Sequence, residues 1–274
     1  MPEPIIASKG MIEQIFDGAA TSYDRVGPSI FAQFGTRLIE HVPLGPDTHV
    51  LDVATGNGAV LLPAALRVGS KGHVIGIDLS SAILKEAKHL VQAYKLVNVE
   101  LLKMDAEHLE FTNHTFDVVT CGFGLFFFPD IEAALSEMYR VCKPSGYICV
   151  SVFNKTPRPF DPGWPILLQQ FTEYQVGIRM PQKVAYALDE VEAMLSRFAF
   201  RPIDIHSETS DIVYACMEDW WAFQLTLGSR ATILGMNRDM RERFKEEYLA
   251  KLHPLLRQDG IHLPIAVVYA LAQR

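Results

Sequence analysis

Three aspartates stand at or near the ends of three apolar runs. Asp52 lies in His49–Thr55 (HVLDVAT), Asp78 falls near the end of His73–Leu79 (HVIGIDL), and Asp105 follows Val99–Met104 (VELLKM). After the first run comes Ala54-Thr55-Gly56-Asn57-Gly58. Glycines let a backbone pass close to a ligand, and a helix N-terminus behind them favours polar or anionic groups. A lone G-x-G is a weak signal. A dinucleotide site asks for a third glycine, and position 61 is Leu. Asp78, 22 residues after Gly56, can accept from both hydroxyls of a ribose. Nicotinamide-binding chains share that feature, so it points to an adenosine-type ligand rather than to a reaction. Asp105 is placed to meet an adenine amino group, and Leu79 and Met104 to sandwich the ring. Each acid alone reads equally well as a cap for the helix behind it. All three at successive strand ends, with glycines between, favour the ligand.

The elements that must position these groups alternate strictly. Strands are expected at 49–55, 73–79, 99–104, 116–123 and 147–153. Helices are expected at 59–68, at 81–94 with Ser80 or Ser81 as cap, and at 131–142, the last ended by the turn Lys143-Pro144-Ser145-Gly146. Val- and Ile-rich strands alternating with helices predict an α/β fold with a doubly wound parallel sheet. Beyond Phe153 the pattern changes. Asn154–Pro165 is rich in proline and glycine and reads as a loop or lid; mixed helix follows to about Phe198. A sixth strand is expected at 201–209, mostly helix at 211–261, including Asn237–Leu252, and a terminal strand at 265–272 (IAVVYALA). The predicted organisation is an N-terminal helical lid over 1–48 and one domain over 49–274. Two insertions, at about 154–187 and 210–262, would form a partial helical cap.

The chain has 274 residues, 25 Lys+Arg against 32 Asp+Glu, and a formal net charge of −7. That balance argues against nucleic acid or an anionic membrane as partner, since both call for a basic face. No apolar run is long enough for a membrane span, and the N-terminus lacks the basic and apolar regions of a signal peptide. The four cysteines, Cys121, Cys142, Cys149 and Cys216, form no C-x-x-C pair. They read as small buried hydrophobes in a reducing, cytoplasmic setting, and no Cys/His cluster suggests a metal.

As a set, VLDVATGNG (50–58), VIGIDLS (74–80), KMDAEHLEF (103–111), FDVVTCGFGLFFFPD (116–130) and MYRVCKPSGY (138–147) resemble class I S-adenosylmethionine-dependent methyltransferases. The similarity is closest to the small-molecule branch of ubiquinone and menaquinone C-methyltransferases. The chain also resembles bacterial natural-product methyltransferases, including those acting on prenylated indoles of the teleocidin type. The resemblance implies a seven-stranded Rossmann-like sheet with its last strand antiparallel, and S-adenosylmethionine as cofactor. It implies that Asp52, Ala54, Gly56, Asn57 and Gly58 shape the methionine side, that Asp78 holds the ribose, and that Asp105 and Ala106, with Leu79 and Met104 against the ring, hold the adenine. Cys121, Gly122 and Phe123, at the end of the fourth strand, would contact the methionine part. Many relatives have Gly where this chain has Ala54, a departure that tightens the turn by a methyl. Phe16–Asp24 resembles the family's F-x-x-x-A-x-x-Y-D stretch, which covers the cofactor and places Tyr23 near the methionine carboxylate or the sulfonium. Met11, Ile12, Ile15 and Phe16 form one apolar face that suits the chain's own sheet or a neighbouring subunit, so a homo-oligomer through this helix is open.

Methyl transfer from a sulfonium needs positioning and desolvation, and for O- or N-acceptors often a base. His206 is the first candidate base, with His253 and His262 behind it and His108 and His114 lower. The aromatic inventory suggests a bulky apolar acceptor: Phe126 to Phe128, Trp164, Phe171, Tyr174, Phe200, Trp220, Trp221 and Phe223 could wall one cavity, with Phe126, Phe171, Phe200 and Trp220 foremost. Such walls favour carbon methylation, on a prenyl alkene or an aromatic ring, over oxygen methylation with a histidine base. A non-catalytic adenosyl-binding protein and a nicotinamide dehydrogenase are the readings from other classes.

Overall fold

Burial on both faces explains the continuous apolar runs of the first half, which form a parallel sheet in the computed structural model. The structure describes residues 8–155, 163–177 and 183–274, with Pro202 and Ile203 described by backbone alone. The strands are β1 (His49–Val53), β2 (His73–Asp78), β3 (Val99–Lys103), β4 (Phe116–Gly122), β5 (Cys142–Asn154), β6 (Ala185–Tyr186), β7 (Arg201–Tyr214), β8 (Leu256–Arg257) and β9 (Gly260–Gln273). The main path runs β3-β2-β1-β4-β5-β9-β7, seven strands with β9 antiparallel to both neighbours, as the resemblance implied. The two-residue strands β6 and β8 hang beside β5 and β9. Strand order reverses between β1 and β4, which places a ligand crevice at their carboxyl ends.

The helices are α1 (Lys9–Ala19), α2 (Ile30–Glu40), α3 (Leu61–Val68), α4 (Ser81–Ala93), α5 (Ile131–Val141), α6 (Gly163–Glu173), α7 (Leu188–Arg197), α8 (Met217–Gln224), α9 (Ser229–Leu234) and α10 (Arg238–Leu252). Ser80, Asp130 and Asn237 cap α4, α5 and α10 by accepting from backbone N–H groups. No helix among the described residues is long and apolar enough to cross a membrane.

Two expectations need correction. The Lys143–Gly146 turn is a bulge inside β5: Phe116 pairs with Cys142, and Val118 with Tyr147, so four residues loop out where Ser145 takes φ +64°. The stretch 211–261 is also less helical than expected. β7 continues to Tyr214 and β9 begins at Gly260, paired from Arg201↔Gln273 to Tyr214↔Ile261. Ile212 and Tyr214 are buried while Val213 is exposed, a period of two that is too short to stand out in the sequence. Most of the proline-rich loop expected at 154–165 lies outside the described residues.

Between the arms of that hairpin sit α8, α9 and α10; α10 packs on α6 and α8, and α9 on α1. Phe171 stacks on Phe244 at 5.3 Å, and Trp220 Nε1 donates to the Tyr248 hydroxyl at 3.0 Å.

Candidate active site

At the end of β1 the chain bends through three left-handed residues, Ala54 (φ +55°), Gly56 (φ +56°) and Gly58 (φ +95°). Thr55 N donates to Ile77 O at 2.9 Å, which ties this loop to β2. The Asp78 carboxylate then accepts from Gly56 N and Ser80 N, both at 2.9 Å. It therefore fixes two loops at once, and burial pushes its pKa up to about 6. Around it lies a cavity of about 650 Å³ at the carboxyl ends of β1 to β4. Asp78, Leu79, Met104, Asp105 and Ala106 line one side, and Ala54, Gly56, Gly122 and Phe123 another. The α1 helix roofs it with Lys9, Ile12 and Phe16.

Ion pairs hold that roof. Lys9 Nζ pairs with Asp105 Oδ2 at 2.7 Å and with Glu107, and Lys103 pairs with Glu13 at 2.6 Å. Asp17 accepts from Ser80 Oγ at 2.5 Å, beside the N-terminus of α4. Asp105 Oδ1 accepts from Glu107 N at 2.9 Å.

Four residues assigned to the cofactor by resemblance do not line this cavity. Asp52 lies beneath the loop, fully buried, and accepts from Thr55 Oγ1 at 2.6 Å and Thr120 Oγ1 at 2.8 Å; burial raises its pKa to about 7. Its observed contacts fix the bend rather than touch a ligand. The space beside Gly58 is filled by Leu61 and Leu62. Cys121 is buried against Gly124. Asn57 donates to Tyr23 O at 3.1 Å and lines a smaller neighbouring cavity with Tyr23 and Phe31.

A second cavity, of about 800 Å³, opens on the other side of Tyr23. Its walls come from every part of the chain: Phe16 of α1, Ile30 and Phe31 of α2, Phe126 and Phe127 after β4, Phe153 of β5, Trp164 of α6, Phe223 of α8, and Leu263 and Ile265 of β9. Of the four substrate residues put foremost, only Phe126 is among them. Phe171, Phe200 and Trp220 are core instead, at most 1% exposed. Phe171 stacks on Phe244, Phe200 meets Tyr139 edge-on, and Trp220 packs on Tyr214 and Phe223.

No histidine lines either cavity among the described residues. His206, the first candidate base, faces a surface network on β7. Its Nδ1 is 3.1 Å from Asp204, its Nε2 is 3.2 Å from Glu208, and its ring lies against His41. His41, Asp204 and His206 bring donor atoms within 4.8 Å of one another, with Glu208 held by Arg37 at 2.6 Å. His262 is held by Asp211 and Asp259.

Four aromatic residues, Phe16, Tyr23, Phe123 and Phe127, belong to both cavities. Phe16 meets Tyr23 at 5.7 Å and Phe127 at 5.0 Å, both edge-on. Tyr23 stacks on Phe31 at 5.3 Å. The neighbouring Asp24 makes this arrangement possible: its carboxylate accepts from Phe31 N at 3.0 Å and Ala32 N at 2.7 Å, and so caps α2. Burial raises the Tyr23 phenol well above its usual range, so it stays protonated, a hydrogen-bond donor and no base. Phe123 is held at φ +56°, a strained conformation for a bulky side chain of the kind found at functional sites.

The sequence reading missed Lys9, Glu107, Phe31 and Phe153. Phe31 and Phe153 sit in ordinary helical and strand patterns. The spacing of acids at 105 and 107 opposite a lysine on a lid helix was the one available signal for the first two.

Residues 6–193, more than half of the chain, match the model of the ubiE/COQ5 methyltransferase family. The chain is 34% identical over 170 residues to aklanonic acid methyltransferase DauC of Streptomyces sp. (strain C5), covering 61% of this chain and 77% of that protein. It is 34% identical over 172 residues to demethylmenaquinone methyltransferase of Listeria welshimeri, covering 61% and 71%. Among solved structures, YcgJ from Bacillus subtilis superposes with a TM-score of 0.62 at 22% identity over 88% of this chain and 98% of that one, a likeness of fold.

Proposed function

The chain belongs to the ubiE/COQ5 methyltransferase family, and from that premise we propose that it methylates a bulky, neutral, apolar small molecule, at carbon rather than oxygen. It is an S-adenosylmethionine-dependent enzyme. The residues around the first cavity fit that cofactor: a half-buried carboxylate at the β2 terminus, two apolar side chains flanking the β2 and β3 ends, and a second carboxylate at the β3 end. Asp78 would hold the ribose, Leu79 and Met104 the ring faces, and Asp105 the amino edge. When bound, the cofactor supplies an electrophilic methyl group on a sulfonium.

The observation that carries the acceptor reading is the lining of the second cavity. Among its described residues there is no His, Asp, Glu, Lys or Arg. Among these described residues an oxygen acceptor that must lose its proton finds no base, and one that arrives as an anion finds no cation to offset its desolvation. A neutral, electron-rich carbon needs neither. Phe16, Tyr23, Phe123 and Phe127, which line both cavities, would wall the meeting point of the two ligands. Ring faces favour the cationic donor, and positive charge developing on an alkene or arene, by about 0.5–2 kcal/mol each. Two relatives are named as methyltransferases of small molecules, demethylmenaquinone and aklanonic acid; these names support a small-molecule acceptor and do not choose between carbon and oxygen. The Tyr23 hydroxyl would position the cofactor's carboxylate end rather than take a proton.

The test offers methyl-labelled S-adenosylmethionine with neutral prenylated aromatics and quinols, and reads the new methyl group by NMR. A carbon-bound methyl, and full turnover in His206→Ala, His253→Ala and His262→Ala, is the expected result. An oxygen-bound methyl whose formation depends on one of those histidines would sink the reading.

A further inference from the structure

We propose that Lys9 is a positioning residue of the adenine subsite: from the lid helix it holds the Asp105 carboxylate oriented for a donor on the purine. This rests on the reading of the first cavity as the nucleoside site.

The argument begins with crowding of like charge. Asp105 and Glu107 are two residues apart in one tight turn, where Glu107 N donates to Asp105 Oδ1. Both line the nucleoside cavity, and the Glu107 side chain is only 11% exposed. Two carboxylates so placed repel one another in a partly desolvated site. Among the described residues lining this cavity, Lys9 is the one cation. Its ammonium bridges both acids, with Asp105 Oδ2 at 2.7 Å. Asp105 is thereby clamped on one oxygen by a backbone N–H and on the other by Lys9. Each oxygen keeps one lone pair, and the plane of the carboxylate is set. Glu107 is fixed in turn by Asp130 N, which donates to its Oε1 at 2.9 Å.

The clamp closes only when α1 lies over the strand ends. Lys9 sits in the first turn of α1, and Phe16, two turns on, lies in the wall common to both cavities. The same helix that completes the aromatic wall at the methyl-transfer end thus orders the carboxylate at the purine end. Without the ammonium, Asp105 is free to turn from Glu107, and that turn removes its alignment for accepting from a purine amino group.

Calorimetry with S-adenosylhomocysteine and with its analogue lacking the 6-amino group tests the assignment in the full-length wild type, Lys9→Met, Lys9→Arg and Asp105→Asn. We expect the wild type to prefer the amino form. Lys9→Met should lose about five- to tenfold in affinity for it, the scale of one charge-assisted hydrogen bond, while the analogue binds nearly as before. Lys9→Arg should restore most of the preference. If Lys9→Met weakens both ligands equally, the residue acts only by tying down α1, and the proposal is overturned. It is also overturned if Lys9→Met leaves the preference intact while Asp105→Asn abolishes it. If Asp105→Asn has no effect either, the adenine assignment itself fails. Lys9 is a surface tie with a side chain 39% exposed, so the variants are expected to fold, and thermal midpoints measured alongside would show it.

Discussion

The two cavities that meet at Tyr23 are built in opposite ways. The nucleoside cavity is made mainly by strand ends: Asp78, Met104–Ala106 and Gly122-Phe123 each follow or close a parallel strand, and register alone brings them together. The apolar chamber has no such frame. Its walls come from α1, α2, the β4–α5 connection, β5, α6, α8 and β9, and apart from the paired strands β5 and β9 these are joined by tertiary packing. On the proposed reading, polar recognition would sit on the strand ends, and the acceptor would be met mostly by helices and connections that differ in origin.

The largest effect should fall outside both cavities. Phe171→Ala removes a ring that is completely buried against Phe244, and should lower stability by about 3–5 kcal/mol. Chemical denaturation would measure it, and affinity for S-adenosylhomocysteine in the remaining native protein should hold. A loss of affinity with unchanged stability would mean that Phe171 is wall rather than core.

Next comes the polar side. Asp78→Ala should weaken S-adenosylhomocysteine by about 1–3 kcal/mol, the cost of losing a charged hydrogen-bond partner; unchanged affinity in calorimetry would remove the ribose assignment. The same group sets a pH dependence. In the free protein its pKa is raised to about 6, above the 3.8 of an ordinary aspartate, so the folded chain binds this proton more tightly than the unfolded one. Its ionisation therefore lowers the stability of the free protein as pH rises from about 4 to 6, and nothing further is lost above. Ribose hydroxyls donate to the ionised form. Cofactor affinity should then fall as pH drops through about 6, and Asp78→Ala should flatten that slope.

The chamber should respond more weakly and separately. Phe126→Leu keeps an apolar surface but removes a ring that lies 4.8 Å from Phe127 and 6.0 Å from Phe153. Loss of an aromatic contact is worth about 0.5–1.5 kcal/mol, expected in the KM for acceptor and absent from cofactor binding. An equal change in both would make the two cavities one site energetically.

Legibility in the sequence follows the same division. The five parallel strands, the glycine bend and the acids at 78 and 105 were readable because strand, loop and helix spacing is local. Asp52 shares that spacing, yet it points under the loop to Thr55 and Thr120, since the side-chain direction at one position of a strand depends on pleat. The chamber was not readable. Aromatic type cannot separate Phe126, which faces the cavity, from Phe200, which meets Tyr139 in the core, because both are apolar and 8% exposed or less. Lys9 and Asp105 are 96 residues apart, and only the fold joins them.

One pair of small residues, both lining the first cavity, links the bend after β1 to the start of the aromatic run and gives the finest test. Ala54 lines the nucleoside cavity in a left-handed conformation, which costs an L-residue roughly 1–2 kcal/mol. Gly124 opens the aromatic run of the chamber. A Cβ built on it would lie 2.7 Å from the Ala54 methyl and 2.7 Å from Cys121 Sγ, too close for either to remain in place. The methyl at 54 therefore helps to require glycine at 124. Ala54→Gly relieves the backbone but makes the unfolded chain more flexible, so stability should rise by no more than about 1 kcal/mol. Gly124→Ala should destabilise, and should do so less in the Ala54→Gly background, because one of its two clashes is gone. Thermal melts of the four proteins close a double-mutant cycle in which contacting residues couple by at least about 0.5 kcal/mol. Strict additivity would mean that the bend after β1 and the aromatic run after β4 tolerate change independently, and that the two cavities are joined only at the four rings they share.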